Sequence, residues 1–263
     1  MADTESESGS VPNQAVAEEL KRMLEEDDSR LGEVYRLSNA GKTPEAIGEE
    51  LGVTTHSFVY SYLSMSRALL EGEIAKAPTV ARQNAARLRS VLKQDNLSPD
   101  ARAVLEHNLN LLSAAASDDA ASQEEIATAK QGSRDLEEVL KSTTVSGVYV
   151  YSFPTLLLHP RNEDTGQTLL KIGRGDDVED RVFRQVKTAW PENPIMLRVY
   201  RPRDDTTKTV NIEKRIHSIL SAASHDWDEG GSEWFLTSLV FLDEIASLMG
   251  LSILENKRFG SKT

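Results

Sequence analysis

The chain has 263 residues, 39% hydrophobic and 27% charged, which is the balance of a globular protein with one large or two small domains. No run approaches the roughly 18 apolar residues that span a bilayer, and MADTESESGS lacks the cationic start and apolar core of a secretory signal, so a cytoplasmic protein is expected. The absence of cysteine excludes disulfides, thiolate zinc sites and cysteine nucleophiles.

The formal net charge is -12, but it is unevenly placed. Residues 1–30 hold 3 Lys+Arg against 9 Asp+Glu, whereas residues 145–263 hold 15 against 17. Phosphate contacts act within about a Debye length, ~8 to 10 Å, so a local basic patch matters more than the total. The acidic sum therefore leaves nucleic-acid binding open.

Residues 1–14 are small, polar and acidic, with too little apolar surface to offset the entropy of ordering. A disordered tail is expected there. Residues 15–115 read as a helical module. Val16, Leu20 and Met23 space a charged helix over 14–30. LGEVYRLSN, 31–39, gives a second helix broken at Gly41, and Thr43-Pro44 opens another that stops at Gly52. Thr54 or Thr55 then caps a helix from His56 to about Leu70. This is the shape of a helix-turn-helix, whose last helix would present Thr55, His56, Ser57, Tyr60 and Ser61 to DNA. Phe58 and Val59 compete for the core slot after the turn, and basic residues are scarce before Arg67. A three-helix packing unit that binds no DNA is the competing reading.

Val80, Ala85, Leu88, Val91 and Leu92 mark a further helix, and Ala103, Leu105, Leu109, Leu111 and Leu112 mark one more after Ser98-Pro99. Arg82, Arg87, Arg89 and Lys93 make the first of these basic, either a phosphate-contacting face or a solvated surface. Residues 116–143, rich in Ala, Ser, Asp and Gln, read as a partly helical linker, with a short helix near Arg134–Leu140.

A second domain is expected over 144–263. GVYVYSF, 147–153, alternates Val148, Val150 and Ser152 against Tyr149, Tyr151 and Phe153, a strand pattern with both tyrosines on one face. LLKIGRGDDVEDRVF, 169–183, reads as a strand over Leu169–Ile172, a stop at Gly173, and a helix capped by Asp176 or Asp177. A loop over 154–167 joins the two strands. Residues 194–201 alternate Ile195, Leu197 and Val199 against Met196, Arg198 and Tyr200, a third strand. Thr206 or Thr209 opens the next helix. Helical periodicity sets Arg181 at the margin of a Val178, Val182, Phe183, Val186 stripe. It likewise sets Glu213 at the edge of Ile212, Ile216, Ile219 and Leu220, with His217 one turn on. Arg198, Arg201, Arg203 and Lys208 flank the third strand as a candidate basic patch.

G-V-Y at 147–149, K-I-G at 171–173, Arg181 eight positions after that glycine, I-E-K-R-I-H at 212–217 and E-W-F at 233–235 together resemble a GIY-YIG nuclease domain. The likeness covers roughly residues 145–250. It is strongest to a phage and bacterial branch whose second motif reads K-I-G. The resemblance implies a small antiparallel sheet flanked by helices for this half, which with the helical front half gives an α+β chain.

The resemblance also implies chemistry. Tyr149, or Tyr151 in a Y-x-Y reading, would stand beside the attacking water. Arg181 would contact the phosphate, with Arg174 as a second candidate, and Glu213 would hold one Mg2+ or Mn2+, hard ions that accept a single carboxylate when water and phosphate complete the shell. Lys171 stands where many members carry a second tyrosine. It would orient water or phosphate, accept a proton if its pKa is lowered, or simply lie in solvent. His217 is either a hydrogen-bonding or proton-carrying partner or a half-buried helix histidine, and a zinc pair with Glu213 lacks a third ligand. Trp234 and Phe235 would close the core. The family's late asparagine has no clear counterpart.

These readings converge on a DNA-binding, metal-dependent endonuclease acting on double-stranded DNA, with Arg174, Arg198 and Arg201 as contacts. A restriction, phage-defence or mobile-element role would suit it. A homodimer is compatible, since helix-turn-helix proteins read paired half-sites. The alternatives are a non-catalytic DNA-binding regulator with a degenerate nuclease-like domain, and a protein-interaction scaffold.

Overall fold

The structure, a computed structural model, describes residues 12–53, 56–142, 144–162, 165, 167–186, 192–203, 208–229 and 231–259, leaving out the side chains of 56 and 183–186. It divides into two compact units, one of Met1–Ile47, Val59–Ser122 and Lys262–Thr263, the other of Gly48–Phe58 and Gln123–Ser261. Residues 1–11 of the expected acidic tail, Thr55 and Thr206 lie outside the described residues. Among the described residues no helix is long and apolar enough to cross a membrane.

The first unit is helical. Its elements are α1 (Gln14–Glu25), α2 (Arg30–Asn39), α3 (Pro44–Glu50), α4 (His56–Leu70), α5 (Pro78–Leu92) and α6 (Pro99–Ala116), the division between units falling within α3 and α4. Helix starts follow the polar signals. Asn13 accepts from Val16 N at 3.0 Å, Thr43 from Ala46 N at 3.3 Å, and Ser98 from Ala101 N at 3.2 Å, each satisfying an N–H that the first turn leaves over.

Three details differ from the sequence reading. Leu24 rather than Met23 completes the buried stripe of α1, and Phe58 and Val59 are both in the core, at 2% and 0% exposure. On α6 the buried face is Ala101, Leu105, Asn108, Leu112 and Ala116; it includes small and polar positions that a purely apolar stripe overlooks. The arginines of α5 are partly spent internally: Arg87 pairs with Asp27 at 2.6 Å and Arg89 donates to Ser113 at 3.3 Å.

α7 (Asp119–Ser142), which lies in the second unit from Gln123 on, is a continuous helix where a partly helical linker is expected. Ser122, Ile126, Ala129, Ser133, Leu136 and Leu140 are all buried. Their alternating spacing of four and three is that of one helix face, but half of them are too small or polar to register as hydrophobic. Small residues are what the packing requires. A Cβ on Gly132 would meet Asn256 Oδ1 at 1.9 Å, Asn256 Nδ2 donates to the Ala129 carbonyl at 2.8 Å, and Met196 N donates to Ser133 Oγ at 2.9 Å.

The sheet follows. Its elements are β1 (Gly147–Ser152), α8 (Pro154–Leu158), β2 (Thr168–Gly175), α9 (Val178–Val186), β3 (Ile195–Arg201), α10 (Thr209–Ala222), β4 (Trp234–Thr237), α11 (Leu239–Leu248) and β5 (Ser252–Glu255). The five strands run in the order β4-β2-β1-β3-β5 with every neighbouring pair antiparallel. The chain is therefore α+β. The expected loop over 154–167 contains α8, β2 continues past Gly173 to Gly175, and the E-W-F motif opens the edge strand β4.

Both sheet faces are covered. Val148, Val150, Leu170 and Ile172 pack with Ile212, Ile216 and Leu220 of α10 and Leu242, Ile245 and Ala246 of α11. Tyr149, Tyr151 and Phe153 pack on the other side with Val178 and Val182 of α9 and Leu136 and Leu140 of α7. Burying each such aliphatic side chain contributes about 1.5–3 kcal/mol.

One irregularity re-aims a charged residue. Val150 opposes Arg198 but Tyr151 opposes Met196, so the register slips at Leu197. The bulge puts Arg198 and Tyr200 on the side of Leu197 and moves Val199 to the side of Met196. With both faces covered, Arg198 is buried at 4% exposure and is no candidate for phosphate contact.

Candidate active site

Alternation along β1 sends Tyr149, Tyr151 and Phe153 to one face, where they form a strip with Trp234 of β4. The Tyr149 and Tyr151 rings stack at 5.9 Å, Tyr151 meets Trp234 edge-on at 6.1 Å, and Phe153 stacks on Trp234 at 5.9 Å. Gly173 is the cross-strand partner of Tyr149. A Cβ there would lie 2.5 Å from the Tyr149 hydroxyl and 2.7 Å from Cζ. The glycine of K-I-G thus forms the slot in which the tyrosine ring rests, within a strand that continues beyond it.

The Tyr149 phenol is pushed up to about 12, first by burial, then by the Glu233 carboxylate, with a smaller contribution from Glu213; the charge of Arg181 and a hydrogen bond from it act in the opposite sense. At neutral pH it keeps its proton. The same causes place Glu233, Arg181 and Glu213 within electrostatic reach of one hydroxyl. Tyr151 is raised further, by burial and then by Tyr149 and Glu233. Its cross-strand partner is Lys171.

Each charged side chain has an identifiable support. Asp177, not Asp176, starts α9: its side chain accepts from Asp180 N at 3.2 Å and its carbonyl from Arg181 N at 3.1 Å. Val178 and Val182 bury that helix on the sheet, and Arg181 is exposed beside them. Lys171 Nζ lies 2.7 Å from Glu233 Oε2 and 5.7 Å from the Trp234 ring centre. Arg174 Nε lies 2.9 Å from Glu213 Oε2, with the arginine side chain 44% and the glutamate side chain 15% exposed.

On α10, Ile212, Ile216 and Leu220 face the core, which sets Glu213 at the margin of that face. One turn on, His217 Nε2 is 3.0 Å from the Ile172 carbonyl, and its ring centre lies 4.9 Å from that of Phe235. A carbonyl only accepts, so Nε2 carries the proton. His217 therefore ties α10 to β2, the strand that carries Lys171, Gly173 and Arg174.

The residues expected at DNA separate into groups. Arg174 borders the cluster just described, and Arg201 is exposed at the end of β3. Tyr60 is 45% exposed on α4. Thr55 and the His56 side chain lie outside what is described. Arg198 is buried, and the part-buried Ser57 hydroxyl is engaged beside it. Arg198 contacts Asp243 through Nε and Nη2 at 3.2–3.3 Å, Tyr200 donates to Asp243 Oδ1 at 2.8 Å, and Glu255 is 3.8 Å from Arg198 Nη2. Ser57 donates to Glu255 and lies 3.4 Å from Arg198 Nη2. An interior arginine is not presented to DNA, and the Ser57 hydroxyl is already engaged by a carboxylate.

Sequence reasoning missed the centre of this network. Asp243 is 2% exposed amid the apolar LVFLDEIASL of α11. Burial raises its pKa, and Arg198 opposes that rise. A carboxylate set among core positions was the available signal, because such a group must find a partner.

Among the described residues no three His, Cys, Asp or Glu side chains come together to hold a metal. A site resting on one carboxylate suits only a hard cation that keeps its waters and takes further oxygens from a substrate. No curated protein and no solved structure matches the chain. Residues 147–250, from the start of β1 to just past α11, match the model of the T5orf172 domain, a family associated with nuclease-like domains.

Proposed function

We propose that residues 147–250 form a GIY-YIG-type endonuclease domain that hydrolyses phosphodiesters of double-stranded DNA, with the helical front half helping to hold the duplex. The Tyr149 hydroxyl seated in the Gly173 slot, within electrostatic reach of Glu233, Arg181 and, most weakly, Glu213, carries this reading. The family match over the same residues supports it.

Hydrolysis adds a water oxygen to phosphorus, breaks a bridging P–O bond and returns a proton to the departing oxygen. Arg181, exposed and anchored by α9, supplies charge to a non-bridging phosphate oxygen. Tyr149 retains its proton and is therefore a donor that orients water or phosphate rather than a standing phenolate base. The Glu233 carboxylate holds Lys171 over Trp234, so its ammonium is fixed beside the aromatic strip. His217 keeps α10 in register with β2 and so fixes the reach of Glu213. Glu213 fits Mg2+ or Mn2+ as a single half-buried carboxylate, and such an ion when bound would polarise the phosphate and stabilise charge on the leaving oxygen.

A second reading has an observation of its own. Both carboxylates near Tyr149 already face cations, Glu213 facing Arg174 and Glu233 facing Lys171. A regulator that binds DNA without cutting it would be built that way.

Incubating supercoiled plasmid with the purified protein in Mg2+, Mn2+ or chelator separates the readings. The nuclease reading predicts metal-dependent nicking that falls at least about 100-fold in Arg181→Ala, on the scale of losing one transition-state charge donor. Plasmid that is retarded on a gel yet stays supercoiled in both metals supports the regulator.

A further inference from the structure

We propose that Arg174 is the resident counter-cation of Glu213. It holds the carboxylate aimed while the site is empty, competes with a divalent cation for it, and passes to a phosphate oxygen of DNA once the cation takes its place. This deepens the nuclease reading and rests on it.

The geometry is asymmetric. Glu213 is held at the margin of a packed helix face with its side chain 15% exposed, whereas Arg174 is the penultimate residue of β2 with a side chain 44% exposed. Glu213 is the fixed partner and Arg174 the movable one. The contact uses Nε of the guanidinium. The remaining N–H donors of an arginine form a planar fork suited to phosphate.

A divalent ion brings twice the charge of a guanidinium to the same oxygen. Releasing so exposed an arginine is undemanding, since ion pairs of this kind shift an equilibrium by only a few-fold. The released arm stays at the end of β2, one residue past Gly173 and on the α10 side of the sheet, free to take a phosphate oxygen of a substrate held at Glu213. The pair would thus couple cation loading to gain of one phosphate contact.

Two measurements that need no catalysis test this. In the first, Mn2+ alone is titrated into full-length wild type, Arg174→Met and Glu213→Gln, and the free ion is followed by electron paramagnetic resonance. Competition predicts Mn2+ binding about 2- to 5-fold tighter in Arg174→Met than in wild type, and lost in Glu213→Gln. Equal or weaker binding in Arg174→Met, with loss in Glu213→Gln, overturns the role of Arg174 and leaves the metal assignment standing. Binding that survives Glu213→Gln, or is absent from all three proteins, contradicts the assignment itself and this proposal with it.

In the second, a labelled DNA duplex is titrated in chelator. Glu213→Gln frees Arg174, so affinity rises several-fold and the salt dependence steepens by about one phosphate contact. Adding Arg174→Met to that variant abolishes the gain. A gain that persists in the double variant reflects only the lost carboxylate charge, and it overturns the hand-off. Thermal melts of the variants confirm that each is folded.

Discussion

Replacing Gly173 by alanine would drive a methyl group into Tyr149. The added carbon would stand 2.5 Å from the hydroxyl, 2.7 Å from Cζ and 3.1 Å from Cε2, all inside contact distance. The ring has little room to yield, being 1% exposed and stacked on Tyr151 at 5.9 Å. Overpacking of this kind costs about 1–3 kcal/mol, so urea denaturation should show the variant less stable by that amount. The displaced hydroxyl should also lose its neighbours, and its ionisation should move from about 12 back toward the ordinary 10. Ultraviolet titration of the phenols against a Tyr149→Phe control reads this. Gly173→Ala/Tyr149→Leu should regain part of the stability, because the shorter side chain vacates the clash, with a coupling of about 0.5–3 kcal/mol. Wild-type stability together with an unchanged Tyr149 ionisation in Gly173→Ala would refute the slot.

Other outcomes follow from the same contacts. Tyr149 has a raised folded pKa, so its contribution to stability is complete below the unfolded value near 10 and is lost as pH climbs from 10 through about 12; denaturation midpoints across that range should fall more steeply for wild type than for Tyr149→Phe. Arg198→Met leaves buried Asp243 without its counter-charge and should cost about 3–5 kcal/mol, while Arg198→Met/Asp243→Leu should recover much of it. If Arg198→Met instead weakens DNA binding at a temperature where the protein is fully folded, the internal assignment is wrong. His217→Gln keeps a donor near the position of Nε2 and should retain most cleavage, whereas His217→Phe should lose it. Equal loss in both would mark His217 as a proton carrier rather than a tie.

The sequence was most readable where local chemistry and packing agree. Thr43-Pro44 and Ser98-Pro99 mark helix starts because caps and proline act within a few residues, and β1 shows its faces because each alternate side chain has a large apolar surface to bury. The reading weakened where long-range packing overrides local pattern. α7 hides behind Ala129, Gly132 and Ser133, which are small because Asn256 and β3 approach its backbone closely. Arg198 reads as part of a basic patch because one strand's alternation shows neither that both faces of the sheet are covered nor that a bulge intervenes at Leu197. At the candidate site the motifs identified Tyr149, Arg181 and Glu213 as residue types, but not the pairings of Arg174 with Glu213 and Lys171 with Glu233. Those depend on how β2, β4 and α10 meet, a tertiary fact with no signature in residue spacing.

The most direct test of the account is plasmid nicking by wild type beside Glu213→Gln, each with Mg2+, Mn2+ or chelator. The account predicts nicks from wild type only when metal is present, and none above background from a folded Glu213→Gln. Equal nicking by the two proteins, or nicking that persists in chelator, would contradict it.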